Sequence, residues 1–285
     1  MNSKVTRFAP TPSGYLHLGN LYSFLVTKAM ANHHGAKILL RIDDMDQERV
    51  RPEYIQDIFD TLEFMDLGYD FGPKTSKELK EVWSQMNRLK KYSKAIEQLI
   101  SAQKLFTCDC SRKTIKKRTP DGQYDGFCLA RELPLDQPDT ALRLKTDDFT
   151  SSFGRSEAFP VILKKDGFPA YHLCSLMDDL EFEVDLVIRG LDLLTSTATQ
   201  EILANALNQS ENFGKIKFIH HELLFDENGG KLAKSSGSRS IKHLRESGKT
   251  KSQVYTMLSS ALNWKTEVDN FQDFSSEIIK KNGLP

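Results

Sequence analysis

One stretch constrains this chain more than any other. Residues 7–20, R-F-A-P-T-P-S-G-Y-L-H-L-G-N, join a short apolar run at 5–8 to a segment whose apolar residues Leu18, Leu21, Tyr22, Leu25 and Ala29 recur at helical spacing and stop near Gly35. The pattern predicts a strand, a tight loop and a helix. Such a junction aims free backbone N–H groups and the positive end of the helix dipole at whatever lies above the strand, which makes an anion site. His17 and Asn20 flank Gly19 there, and an imidazole and an amide can donate to phosphate oxygens. Gly14 and Gly19 have P-loop spacing, but Asn20 and Leu21 stand where its Lys and Ser/Thr belong; G-x-G-x-x-G is also missing from the stretch. The residues alone leave two readings open: a nucleotide loop, or a turn shaped by Pro10, Pro12 and Gly14 with His17 capping a helix.

A chain of 285 residues with 39% hydrophobic and 27% charged residues has the composition of an ordinary globular protein. No run reaches the 18 or so apolar residues of a membrane span, so a cytoplasmic location and no membrane partner are expected. Three of the four cysteines crowd between residues 108 and 128, a pattern closer to metal ligands than to a disulfide framework. Net charge is zero, but residues 88–94 hold four basic side chains, residues 112–118 five, and residues 231–251 seven against the single acid Glu246. Phosphate contacts come from such local clusters, so an RNA partner is permitted.

Residues 37–42 are predicted to form a second buried strand and residues 52–67 a helix, with Pro52 in its first turn and Gly68 after its end. Strand-helix alternation implies a parallel sheet with right-handed crossovers, whose ligands sit beyond the carboxyl ends of the strands. Asp43, Asp44 and Asp46 follow the second strand and would stand near His17, as ligands for an ammonium or a metal ion, or as turn caps. A basic helix is predicted over 79–104, then C-D-C at 108–110, Tyr124 and Cys128, where a tight turn can aim three thiolates and a phenolate at one ion; reduced structural thiols are the alternative. Parallel signals resume at Tyr171, with strands at 186–189 and 217–219, a helix at 197–208 begun by Thr197 and Gln200, and a helix near 254–262. K-L-A-K-S at 231–235 lies in a glycine-bounded loop that can close over a triphosphate, or be merely solvated.

H-L-G-N at 17–20 and K-L-A-K-S at 231–235 resemble the HIGH and KMSKS motifs of class I aminoacyl-tRNA synthetases. The flanking R-F-A-P-T-P-S-G, R-I-D-D and V-I-R-G-L-D are similar to those of glutamyl-tRNA synthetases. Within that group, C-D-C, Q-Y-D-G-F-C and the short remainder after the lysine loop resemble the glutamyl-queuosine tRNA(Asp) synthetases, in the right order over nearly the whole chain.

The resemblance implies an α/β fold: a Rossmann-like, doubly wound parallel sheet split between residues 1–72 and 170–240, an inserted zinc-binding α+β subdomain of acceptor type at 73–169, and a small helical segment at 241–285. It implies ligase activity on L-glutamate, ATP and tRNA, with Mg²⁺ on the phosphates and Zn²⁺ at Cys108, Cys110, Tyr124 and Cys128. His17, Gly19, Asn20, Lys231, Lys234 and Ser235 would bind ATP, with His17, Lys231 and Lys234 catalytic. Arg7, Thr11, Asp43, Tyr171 and Arg189 would bind glutamate. Asp43 stands where the family carries Glu opposite the substrate ammonium, and Asn20 and Ala233 also depart from the motifs. A monomer acting on the queuosine base in the anticodon of tRNA(Asp) is expected, because residues 241–285 are too few for a separate anticodon-binding domain. A short ligase charging the tRNA 3′ end, a non-catalytic nucleotide- or RNA-binding module, and an enzyme transferring adenylyl groups to small metabolites are the alternatives.

Overall fold

The computed structural model describes residues 4–119, 121–146, 149–224 and 240–283. In chain order its first half holds β1 (Val5–Phe8), α1 (Leu18–His34), β2 (Lys37–Leu40), α2 (Pro52–Phe64), α3 (Ser76–Glu78), α4 (Leu89–Ser101), β3 (Leu105–Cys108), α5 (Arg112–Arg118) and β4 (Ala141–Leu144). There follow β5 (Thr150–Ser151), β6 (Gly154–Arg155), β7 (Val161–Leu163), α6 (Tyr171–Glu181), β8 (Leu186–Gly190), α7 (Leu194–Ala206), α8 (Ser210–Phe213), β9 (Lys217–His221), α9 (Ile241–Glu246), α10 (Lys251–Ala261) and α11 (Phe271–Lys281). The chain divides into two compact units, one of residues 1–85, 183–191 and 217–285, the other of residues 86–182 and 192–216.

In the first unit β1 pairs parallel with β2 and β8 parallel with β9. Asp185 joins the two pairs: its N–H donates to the Val5 carbonyl (3.1 Å) and its carboxylate accepts from the Lys4 and Val5 N–H groups (2.9 and 3.0 Å). Helix α1 stops at Gly35, whose φ of 67° supplies the left-handed cap that other residues adopt at a cost. Its apolar side chains Leu21, Leu25 and Met30 are fully buried against Phe8, Ile38, Leu40 and Ile188. Ile241, Leu244, Val254, Leu258, Phe274 and Ile278 enter the same core, so α9, α10 and α11 are built into this unit. Only α10 was expected among these three, because the apolar positions of α9 and α11 are few and interrupted by charge.

Two other expectations are corrected. The basic helix of 79–104 is broken: a π-helical turn at Leu79–Trp83 ends at Ser84, whose ψ is 140°, a 3₁₀ turn spans Gln85–Arg88, and only then does α4 begin. The break has a cause in Asp44, whose carboxylate accepts from Ser84 Oγ (2.6 Å) and Gln85 N (2.8 Å). Helix α7 starts at Leu194, not at Thr197, whose Oγ1 instead donates to the Leu193 carbonyl at 3.1 Å.

In the second unit β3, β4 and β7 form an antiparallel sheet with a register shift at Leu142/Arg143. Arg88 grips Asp178 through two hydrogen bonds (2.8 and 2.9 Å) and Tyr92 donates to the same carboxylate (2.7 Å), a buried network between α4 and α6. A small apolar cluster of Phe106, Ile115 and Tyr124 surrounds Cys108 and Cys128.

Candidate active site and thiol cluster

Along the carboxyl ends of β1, β2 and β8 the first unit collects charged groups from three segments. Arg7, on β1, is 5% exposed and donates through Nη1 to the Ile188 carbonyl at 3.3 Å, beside Arg189. Arg189, itself buried, lies with its guanidinium 5.1 Å from the Phe218 ring centroid. The loop after β1 and the loop after β2 are tied by Asp43 N donating to the Pro10 carbonyl (2.9 Å), which brings Thr11 and Asp43 into one patch. Two buried arginines and a carboxylate at strand ends suit an amino acid, because a guanidinium grips a carboxylate in bidentate fashion.

Of the two roles left open by the sequence, the structure shows that of helix cap for His17. It is the N-cap of α1: its Nδ1 accepts from Gly19 N (3.0 Å) and Asn20 N (3.3 Å), while Asn20 Oδ1 accepts from His17 N (3.1 Å), a capping box. An accepting Nδ1 fixes the proton of the neutral ring on Nε2, so the nitrogen left as donor is the one that a phosphate oxygen needs. Capping and phosphate binding are therefore compatible uses of one side chain.

Lys231, Lys234 and Ser235 lie outside the described residues. The chain returns at Ser240, which bridges to His17 in antiparallel fashion, and Ile241 N donates to the Leu16 carbonyl at 2.7 Å. Ser240 and Ile241 are thus anchored on the His17 loop.

Three groups that hold this site were not singled out by the sequence reading. Arg41 forms a bidentate pair with Asp43 (2.7 and 3.0 Å), both nearly inaccessible, so the carboxylate expected to face a substrate ammonium is already engaged by a cation. Asp57, on the buried side of α2, accepts from Leu16 N (2.9 Å) and Arg245 Nη2 (2.7 Å), fixing the approach to His17; burial lifts its carboxyl above the usual range, against the pull of these two donors. The available signal was a charge on the apolar stripe of a helix. His220, opposite Arg189 in the β8–β9 register, has its pKa lowered to about 4 by burial and by Arg189. It is neutral near pH 7, leaving Arg189 as the charge.

Tyr171 belongs to the second unit, where it opens α6 at 41% exposure with its ring 5.4 Å from that of His172. The same unit holds the thiols. The sulfurs of Cys108, Cys110 and Cys128 all lie within 4.8 Å of one another, and Cys110 and Cys128 are 3.4 Å apart, too far for a disulfide. Tetrahedral thiolate coordination at about 2.3 Å requires sulfurs about 3.8 Å apart, so the cluster fits one ion. The Tyr124 hydroxyl is at the same place, accepting from Cys128 N at 2.8 Å. Burial pushes the Tyr124 phenol up, so this oxygen is protonated in the ion-free cluster. Burial also pushes the Cys110 thiol to about 11; at Cys108 hydrogen bonds from Tyr124 and Arg143 outweigh burial and lower it. Arg118 and Arg131 each donate to one sulfur at 3.5 Å, Cys110 and Cys128 respectively, and each pairs with an aspartate, Asp125 and Asp109. Such outer donors offset the negative charge that several thiolates leave around a divalent ion. Gly126 permits the turn: φ is 77° and a Cβ would stand 2.8 Å from the Phe159 ring.

The fold is that of an α/β protein whose first strand leads through a loop into a helix N-terminus capped by His17. The family described as tRNA synthetases class I (E and Q), catalytic domain, matches residues 4–126 and 155–281, and this chain belongs to it. It is 30% identical over 295 residues to a glutamate–tRNA ligase of Dehalococcoides mccartyi, covering 97% of this chain and 59% of that protein. It is 34% identical over 247 residues to a glutamyl-Q tRNA(Asp) synthetase of Methylococcus capsulatus, covering 82% of this chain and 77% of that protein. A glutamate tRNA ligase of Elizabethkingia meningosepticum, solved in complex with its amino acid, shares the fold at a TM-score of 0.69 and 22% identity over 98% of this chain and 64% of that one. The chain thus spans about three fifths of the length of the first of these relatives.

Proposed function

We propose that this protein activates glutamate with ATP and transfers it to the queuosine base in the anticodon of tRNA(Asp). The observation that carries the activation step is the pair of buried arginines, Arg7 and Arg189, on neighbouring strands of the unit whose first helix is capped by His17. An oxygen of the glutamate α-carboxylate attacks the α-phosphorus of ATP, the bond to the bridging oxygen of the β-phosphate breaks, and glutamyl-adenylate and pyrophosphate result. Arg7 and Arg189 hold a substrate carboxylate, and Tyr171 donates its hydroxyl to the amino acid. His17 donates Nε2–H to a phosphate, the backbone at Gly19 and Asn20 admits the nucleotide, and Lys231, Lys234 and Ser235 stabilise the charge that develops on the phosphates. Mg²⁺ bound to the nucleotide would supply charge screening at its phosphate oxygens. In the second step an acceptor hydroxyl attacks the activated carbonyl, AMP leaves and the hydroxyl proton is lost.

The reading includes Zn²⁺ at Cys108, Cys110, Tyr124 and Cys128, where it would hold the thiol loop together; its apparent binding energy of about 10–16 kcal/mol is large for so small a core. It includes residues 73–169 as an insertion in the catalytic domain, and a monomer. Choice of the anticodon base rests on the relative named for that reaction, matched over 77% of its length. The glutamate–tRNA ligase matched by 97% of this chain favours a second reading, charging of the 3′ end. Pyrophosphate exchange dependent on glutamate tests activation; exchange absent at saturating ATP and glutamate, with and without tRNA, would refute it.

A further inference from the structure

The second unit contains a cavity of about 560 Å³ that none of the residues assigned to ATP or glutamate lines. Its walls include Arg112 and Lys116 of α5, Asp121, Tyr124, Arg143, Glu157 and Thr195. The size falls within the roughly 300–1,000 Å³ typical of small-ligand sites.

Asp121 and Glu157 put two carboxylates among its three cations, and it is the α5 wall, with Arg112 and Lys116, that suits an anion. Arg112, Lys113, Lys116 and Lys117 have no ion-pair partner among the described residues, whereas Arg118 on the same helix is paired with Asp125. Arg112 and Lys116 stand one turn apart and line the cavity; Lys113 and Lys117 do not. Uncompensated cations beside a concave wall concentrate phosphate there. Thr195 lies in the first turn of α7, which begins without a side-chain cap, so the dipole of a 13-residue helix adds to the same field.

Its shape selects more than a phosphate. The register shift at Leu142/Arg143 re-aims Arg143, which donates to the Phe159 carbonyl (2.9 Å) and lies over Tyr124 with its guanidinium carbon 3.9 Å from the ring centroid. The guanidinium is therefore fixed as a flat cationic plane on the cavity wall before any ligand arrives. Unpaired bases stack on such planes, and Glu157 supplies an acceptor for a base-edge amino group.

We infer that this cavity receives one unstacked nucleotide of the RNA substrate, its phosphate held by Arg112 and Lys116 and its base stacked on Arg143. The inference rests on the proposed tRNA substrate. It also ties RNA binding to the thiol loop, because Tyr124 and Arg143 both contact Cys108.

The test measures binding of fluorescently labelled tRNA to the full-length protein across a salt series, with pyrophosphate exchange followed in every variant to show that the adenylation site is intact. Arg112→Ala/Lys116→Ala is expected to weaken binding about tenfold and to reduce the salt slope by about 1 to 2. Lys113→Ala/Lys117→Ala removes the same charge outside the cavity and is expected to cost no more than about threefold. Arg143→Lys keeps the charge without the plane and is expected to weaken binding about fivefold at an unchanged slope. Equal losses in the two double variants, or none in either, would overturn the phosphate site, and an Arg143→Lys protein that binds like wild type would overturn the stacking. Wild-type protein that exchanges pyrophosphate yet binds no tRNA at low salt would refute the RNA reading itself, and this inference with it.

Discussion

His17 shows how much one side chain is asked to do. Its Nδ1 caps α1 and its Nε2–H is the proposed phosphate donor, so substitutions should separate the two. Asn is a good N-cap without the second nitrogen: His17→Asn should keep Tm near wild type while glutamate-dependent exchange falls by about 10². His17→Ala should lose both the activity and about 1 kcal/mol of stability, read from chemical denaturation. Lys234→Ala should lower adenylate formation by about 10² to 10³ without a change in Tm, and an unchanged exchange rate would remove the lysine from the reaction. His220 gives a pH signature. Its folded pKa is lowered to about 4, whereas an unfolded histidine binds its proton near 6.5. The unfolded state therefore takes up the extra proton between those values, and stability falls as pH drops from about 6.5 to 4. His220→Gln should show a smaller loss of Tm over that interval than wild type. At this scale the sequence was legible where spacing decides placement, as in the capping of α1 by His17 and the clustering of the three thiols. It was not legible where conformation decides: that Arg41 turns back onto Asp43 depends on a rotamer and on burial, which no spacing encodes.

The elements show the same division. Helix α1 was readable from its apolar spacing and from Gly35, and the start of α2 from Pro52. The break at Ser84 was not, because it is imposed by Asp44, a residue 40 positions away. Thr197 misled for a related reason: its hydroxyl satisfies a carbonyl inside α7 rather than the amides at its start. Asp57 is the clearest element-scale joint, since one buried carboxylate holds the chain before α1 to both α2 and α9. Asp57→Ala leaves Leu16 N–H and Arg245 without their acceptor and should cost about 3–5 kcal/mol by chemical denaturation. Because Leu16 precedes His17, the same variant should also lose exchange activity at temperatures where it remains folded.

For the whole molecule, the family follows from the match over residues 4–126 and 155–281, and the proposal of glutamate activation rests on the charged groups at the strand ends. The first unit carries Arg7, His17, Asp43 and Arg189, and the second carries Tyr171 and the thiol loop with its basic helix. If the thiols hold zinc, the purified protein should contain about one ion per chain, and Cys128→Ser should lower both metal content and Tm. The RNA acceptor is the property least visible in either sequence or fold, because relatives named for two different reactions match this chain at similar identity, 30% and 34%. The most direct measurement incubates the protein with ATP, Mg²⁺ and labelled glutamate, together with tRNA from cells able or unable to make queuosine. The account predicts label only on the queuosine-containing preparation, at the anticodon base. Label on both preparations, at the 3′ end, would contradict it and make this protein a glutamate–tRNA ligase.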